Sequence, residues 1–372
     1  MKRWVIKLGS RVLSNNSDAL SRPRIVDIMR QVAELKNKGY AVVVVSSGAV
    51  LAGWEHMGFP PRQNTLAEKQ FLAAVGQSQL MSLYTQLGAI YGLKVAQSLL
   101  IRSDFSDRRR YLNARTTLET CFAQGVVPIV NENDVVAIDE IKLGDNDNLA
   151  AQVGALVQAE RVILCSDIDG LYTAPPQSNP DAQLIAEVKT IDASVYALAG
   201  DAVTQAGTGG MRTKIQAADI ATRAGAEMWI VNGARPDAIL GLSAERPGYG
   251  TRFLPRQSRV QARKRWILAG ADVEQALILD TGAQRAVVQQ GKSLLPAGIQ
   301  RVLGHFEPGQ TVNLCNPRQE VLGCGLVRYS AEDLRRIAGL QSDQIEEVLG
   351  YTDGAEVMHR NDMVIHSEGV QQ

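Results

Sequence analysis

Short, continuous apolar runs alternate with longer amphipathic stretches over the first two thirds of the chain. Strands are predicted at residues 4–8, 41–45, 95–100, 126–130, 162–165 and 227–231. Helical spacing of apolar positions predicts helices at 23–38, 66–87, 148–157 and 211–224. Strands without polar alternation, separated by helices, indicate an α/β fold with a mostly parallel sheet covered on both faces. Ligands of such open sheets collect at the carboxyl ends of the strands.

The pattern changes after Gly250. Residues 252–265 contain Arg252, Arg256, Arg259, Arg263, Lys264 and Arg265 but no acidic residue. With Pro255 and little apolar periodicity, they read as a linker. Beyond it, short strands are predicted at 276–279, 286–289, 310–314 and 323–327, and helical segments near 331–338 and 343–349. The expected organisation is therefore an α/β domain over 1–251, a linker over 252–265 and a small β-rich domain over 266–372.

Composition narrows the picture. A chain of 372 residues with 45% hydrophobic content can build two cores. Lys plus Arg number 39 and Asp plus Glu 39, so no global field draws in nucleic acid or an anionic membrane. The longest apolar runs are strand-sized, and Lys7 interrupts any apolar leader at the start. Cys121, Cys165, Cys315 and Cys324 show no CxxC spacing, which argues against a zinc site or a disulfide framework. A soluble, cytoplasmic protein is expected.

Candidate chemistry lies where the strands end. Lys7-Leu8-Gly9-Ser10, Ser46-Ser47-Gly48-Ala49, Asn131-Glu132-Asn133-Asp134 and Ser166-Asp167 each follow an apolar strand. A turn with a helix cap would account for any one of them. Their repetition points to a ligand site instead. Gly207-Thr208-Gly209-Gly210-Met211-Arg212-Thr213-Lys214 runs into a helix, so glycine N–H groups and a helix N-terminus can face a phosphate. It is not a Walker A loop, because Thr213 precedes the lysine.

Gly144-Asp145-Asn146-Asp147-Asn148 also leads into a helix, and Asn148 could simply cap it. EF-hand spacing and its terminal glutamate are absent. A functional reading is a grip on a polar substrate, with Asp145 or Asp134 pairing an ammonium group and Asn146 bonding other polar groups. His56, His305, His359 and His366 fall in none of these segments, so no histidine base stands beside a nucleophile. A carboxylate acceptor needs none. With a pKa of about 4.3 it is ionised at neutral pH. It can attack phosphorus once aligned, while Lys7 and Lys214 stabilise the phosphoryl charge.

Together these segments resemble the amino-acid kinase superfamily and, within it, the glutamate 5-kinase family. The Asn-Glu-Asn-Asp and Gly-Asp-Asn-Asp pair is the most specific carrier of the likeness. The segments Gly291 to Ile299 and Gly304 to Gly309 look like a PUA domain, in the domain order of bacterial members. The resemblance implies a three-layer αβα sandwich followed by a PUA-like domain. It implies phosphoryl transfer from ATP to the side-chain carboxylate of L-glutamate, with L-glutamyl 5-phosphate as product, at the first step of proline synthesis.

By the same resemblance Lys7, Lys214 and Asp147 are catalytic, Asp147 orienting the two lysines. Ser47, Asp134 and Asn146 hold glutamate, with Asn131 and Asp145 nearby. Lys7, Ser166, Asp167, Thr208, Gly209, Gly210, Met211, Arg212, Thr213 and Lys214 hold ATP. Mg²⁺ bridges the phosphates without dedicated metal ligands. Arg212 stands where a small residue is common and is expected to point to solvent. L-Proline as inhibitor and a dimer or tetramer as assembly come with the family. A competing reading is RNA binding through the PUA-like domain. Residues 266–372 carry eight Lys/Arg against fourteen Asp/Glu, a formal charge of −6, which speaks against RNA.

Overall fold

Valines buried on both faces build the middle of the larger sheet. In the computed structural model, β1 (Lys2–Leu8) and β2 (Tyr40–Ser46) are covered along nearly their whole length. The described residues are 1–61, 63, 65–137, 146–199, 210–244, 248–268 and 271–365. They fall into two units, Met1–Ser106 with Asn113–Arg259, and Asp107–Leu112 with Val260–Gln372.

The first unit adds β3 (Val95–Leu100), β4 (Val127–Glu132), β5 (Arg161–Ser166), β6 (Glu187–Val188), β7 (Glu227–Asn232) and β8 (Thr251–Phe253). The eight strands lie in the order β3-β4-β2-β1-β5-β7-β8-β6. Every pairing is parallel except β7 with β8. The helices are α1 (Ser10–Ser14), α2 (Arg22–Asn37), α3 (Ala49–His56), α4 (Leu66–Ala89), α5 (Arg102–Ser106), α6 (Arg108–Ala123, of which Arg108–Leu112 belong to the second unit), α7 (Asn146–Leu156), α8 (Ala193–Ala197), α9 (Met211–Arg223) and α10 (Ala238–Ser243). Side chains of β1, β2, α2 and α4, among them Trp4, Val44, Met29 and Tyr84, close one layer of the core.

Two glycines fix α3 against α4. A Cβ on Gly53 would lie 2.0 Å from the Leu72 carbonyl oxygen, and one on Gly76 would lie 1.9 Å from that of Ala49. Only glycine permits that backbone approach. Helix α3, absent from the sequence reading, starts directly after Ser47 and Gly48, and Gly48 takes a φ of +105° to turn the chain.

In the second unit α11 (Arg259–Leu268) precedes β9 (Ala271–Leu279), α12 (Thr281–Gln284), β10 (Ile299–Leu303), β11 (Thr311–Cys315), β12 (Val321–Leu326), α13 (Ala331–Ile337), α14 (Ile345–Leu349) and β13 (Met363–Ile365). Its sheet runs β10-β9-β11-β12-β13, with only β9 and β11 parallel. Leu277, Leu279, Val312, Leu314 and Tyr329 centre its core.

Two expectations need correcting. The stretch 252–265 is not irregular throughout: β8 carries its start into the large sheet and α11 its end into a helix. Residues 286–289 do not form a strand but lie in one turn of π-type helix, Arg285–Gln289. The Asp280 carboxylate accepts the Ala283 N–H at 2.6 Å and starts a helical segment that carries on through the Val287-Val288 pair. Local capping thus overrides the β preference of two valines. No described helix is long and apolar enough to cross a membrane.

Candidate active site

Four neighbouring strands, β4, β2, β1 and β5, run parallel, so their carboxyl ends share one edge of the sheet. Register carries the polar segments there together. Leu8 pairs with Ser46 on one side and Cys165 on the other. Lys7, one residue earlier, pairs with Val45 and Leu164, just before Ser46-Ser47 and Ser166-Asp167, while Asn131 is the penultimate residue of β4 beyond β2.

The lysines meet on one carboxylate. Lys7 Nζ lies 2.6 Å from Asp147 Oδ1, and Lys214 Nζ 2.9 Å from Asp147 Oδ2. Asp147 is 0% exposed and both lysines 7%. Three charges buried together must compensate one another, since an unpaired ion away from water costs several kcal/mol. Burial by itself would raise the Asp147 carboxyl, but the two ammonium groups outweigh it and hold it well below the ordinary range. Two ammonium groups and one carboxylate leave a net charge of about +1, suited to an anionic phosphoryl group.

Each member is placed by a rigid element. Lys7 is fixed by the β1 ladder, Asp147 by the first turn of α7 and Lys214 by the first turns of α9. Gly210 precedes α9 and provides no side-chain cap, and the N–H groups of a helix's first turn lack intrahelical partners and suit an anion. Thr213 Oγ1 donates to the Gly210 carbonyl at 2.7 Å and lies 3.5 Å from Asp147 Oδ2. Met211 is half-buried and Arg212 is exposed. Asp145, Thr208 and Gly209 lie outside the described residues.

Beside this charged centre lies a neutral one. Asn146 Nδ2 donates toward the Ser46 carbonyl at 3.1 Å, Ser47 Oγ at 3.0 Å and Asn131 Oδ1 at 2.9 Å. Asn131 Nδ2 donates to Gln77 Oε1 at 2.9 Å, and Asn131 Oδ1 also accepts the Glu132 N–H at 2.9 Å. The buried Tyr84 hydroxyl lies 2.7 Å from Ser46 Oγ. Next to this cluster Gln77, Gln97, Glu132 and Asp134 line a cleft of about 300 Å³. Burial pushes the Asp134 carboxyl up to about 6.

On the other side of Lys7, Ser166 Oγ donates to Asp167 Oδ1 at 3.1 Å, and Arg11 Nη1 lies 2.6 Å from Asp167 Oδ2. Burial opposes ionisation of Asp167, but Arg11 and Ser166 hold its carboxyl below its ordinary value.

The structure thus gathers Lys7, Asp147 and Lys214 at one point, and Ser47, Asn131 and Asn146 at an adjoining one. Gln77, Tyr84 and Arg11 were not read from the sequence. Their signal was faint: Tyr84 shares the buried stripe of α4 with Ala73 and Leu80, half-buried Gln77 lies beside it, and Arg11 directly follows the Lys7 to Ser10 motif.

Comparison with known proteins identifies the family. Residues 2–232 match the amino acid kinase family, and residues 275–349 match the PUA domain. A glutamate 5-kinase of Deinococcus radiodurans is 54% identical over 98% of this chain and 99% of its own. One of Herpetosiphon aurantiacus is 53% identical over 97% and 98%. One of Vibrio vulnificus is 49% identical over 99% and 97%.

Proposed function

The chain belongs to the amino acid kinase family, in its glutamate 5-kinase branch, and from that membership we propose how its residues carry the reaction. It transfers the γ-phosphoryl group of ATP to the side-chain carboxylate of L-glutamate, giving L-glutamyl 5-phosphate and ADP, and so opens proline biosynthesis. A bond forms between a carboxylate oxygen and phosphorus while the bond from phosphorus to the β,γ-bridging oxygen breaks. No proton moves, so no general base is needed.

The observation that carries the assignment is the single buried carboxylate of Asp147 holding Lys7 and Lys214, one on each oxygen. The two ammonium groups meet the negative charge that spreads over the phosphoryl oxygens in the transition state. Ser47, Asn131 and Asn146 orient the acceptor, and Asp134, with Asp145, pairs its ammonium group. Ser166, Asp167 and residues 208–214 hold the nucleotide, with N–H groups at the start of α9 toward its phosphates. Mg²⁺ enters with the nucleotide and would neutralise phosphate charge. The oxygens of Asp147 are taken by lysines and those of Asp167 by Arg11 and Ser166, which suits a cation held by phosphate and water.

The reaction is assigned to residues 1–251 and none of it to the PUA-like domain, 266–372. RNA is not proposed as a partner, given the acidic balance of that domain. Cytoplasmic residence, a dimer or tetramer, and inhibition by L-proline complete the reading; sedimentation and a proline titration test the last two. The decisive experiment is ATP consumption with glutamate, with hydroxylamine present to trap the acyl phosphate. Turnover with glutamate is expected. Turnover on N-acetylglutamate or aspartate with none on glutamate would overturn the assignment.

A further inference from the structure

Helix α4 reaches the acceptor side of the site through two polar side chains. Gln77 and Tyr84 are seven residues apart, two turns of helix, on the stripe that also holds the buried Ala73 and Leu80. A polar group on a buried stripe is costly unless bonded. Tyr84 meets Ser46 Oγ, and Gln77 meets Asn131.

The height of Gln77 above the site is set by backbone packing. Its neighbour Gly76 is the residue on which a Cβ would strike the Ala49 carbonyl, at the start of α3. Ser47 and Gly48 lead directly into that same turn. Gln77 is thus held relative to Ser47 by two helices in backbone contact.

The hydrogen bonds then run in one direction. Gln77 Oε1 accepts from Asn131 Nδ2, which turns Asn131 Oδ1 toward Asn146 Nδ2 and the Glu132 N–H. With the Asn131 amide reversed, its NH₂ would face two donors and its oxygen would face the oxygen of Gln77. Asn146 in turn donates to Ser47 Oγ and the Ser46 carbonyl.

We propose that Gln77 is a positioning residue for the acceptor substrate, acting through Asn131 to set the Asn146 amide and the Ser47 hydroxyl. The proposal rests on the reading of Ser47, Asn131 and Asn146 as the residues that hold glutamate. Gln77 is half-buried at the edge of the cleft, so its replacement leaves the core of α4 intact.

The test is a double-mutant cycle on the full chain with Gln77→Ala, Asn131→Ala and the pair, and with Gln77→Met as a variant of similar size that lacks the acceptor. Loss of one neutral hydrogen bond should raise KM for glutamate roughly 3- to 10-fold in both Gln77 variants, while KM for ATP stays within about twofold. In the Asn131→Ala background the further loss of Gln77 should change kcat/KM by less than about twofold, because the two residues act in series. Effects that multiply would mean that Gln77 touches substrate on its own, and would overturn the proposal. So would an equal rise in both KM values with a lowered melting temperature, the mark of a structural role. If Asn131→Ala itself leaves KM for glutamate unchanged, the acceptor-site reading falls and the proposal with it. If Asn131→Ala is impaired and Gln77→Met is not, only the proposal falls.

Discussion

Asn146 and Asp147 are adjacent in the chain and open the same helix, yet they anchor opposite kinds of chemistry. Asp147 is wholly buried and joins two ammonium groups. Asn146 is nearly as buried and, among the described residues, joins neutral groups: a carbonyl, a hydroxyl and an amide. On the proposed reading the charged half meets the negative charge that spreads during phosphoryl transfer, and a buried charge acts there at low dielectric. The neutral half needs only to hold an acceptor that is already ionised. Substitutions in the two halves should therefore differ in kind. On that reading, changes in the charged half should act on kcat and changes in the neutral half on KM.

Lys214→Ala is the strongest way to break that division. Removing one cation from the phosphoryl group should lower kcat on the order of 10³-fold or more, with KM for glutamate changed little. The fold should survive, because Lys7 still pairs with Asp147. Steady-state rates with hydroxylamine trapping, beside circular dichroism, check this. A folded variant with kcat near wild type would remove Lys214 from the reaction.

Asp147→Asn attacks the same centre through stability. It leaves two buried ammonium groups without their counter-charge, a change of about 3–5 kcal/mol by the usual cost of breaking a buried ion pair. The pH dependence has a definite sign. The Asp147 carboxyl is held below its unfolded value, so its contribution is complete above about pH 4 and is lost as pH falls toward the folded value. Melting temperature should drop steeply with acid in the wild type, and the part due to this group should be missing in Asp147→Asn. Parallel acid profiles would contradict the assignment of charge to this carboxylate.

How much of this division was legible in the sequence depends on where each side chain sits. The strands were readable because β1, β2 and β5 are buried on both faces and appear as apolar runs without polar alternation. Lys7, Ser47, Asn131 and Ser166 were readable because they interrupt or end such runs. Gln77 was not, since one glutamine in a helix looks like part of a solvated face. Only its spacing from the buried Ala73, Leu80 and Tyr84 sets it apart from the solvated face. Helix α3 was missed because the glycine that admits its close contact, Gly53, weakens its helical signal. The stretch 285–289 misled because β-branched residues follow a strong local cap.

Asp134 sharpens the comparison at the acceptor side, since burial and not a charged partner sets its carboxyl. Burial raises its carboxyl from an ordinary 3.8 to about 6. If the ionised form pairs the glutamate ammonium, affinity is full above pH 6 and falls about tenfold per unit below it. For folding the sign is opposite: this group weakens the folded state as pH rises from about 4 through 6, because the unfolded chain loses the proton first. Calorimetric titration with glutamate between pH 5 and 8 should show the inflection in wild type and not in Asp134→Asn. An inflection of equal size in both would assign it to another group.

Arg11 gives the smallest effect and the finest test. Its pair with Asp167 is partly exposed, with side-chain exposures of 47% and 29%, so solvent screens it. Such pairs contribute about 0–1 kcal/mol. Arg11 still fixes one oxygen of a carboxylate whose other oxygen is held by Ser166, on the loop assigned to the nucleotide. Arg11→Ala should thus raise KM for ATP by about two- to fivefold and leave kcat and KM for glutamate unchanged. The difference from wild type should shrink in high salt, where exposed charges are screened beyond a few ångströms. A fall in kcat approaching that of Lys214→Ala would place Arg11 with the phosphoryl group itself. The charged half of the site would then extend past the two lysines, and the line between the charges that drive transfer and the contacts that only hold ligands would have to be redrawn around α1.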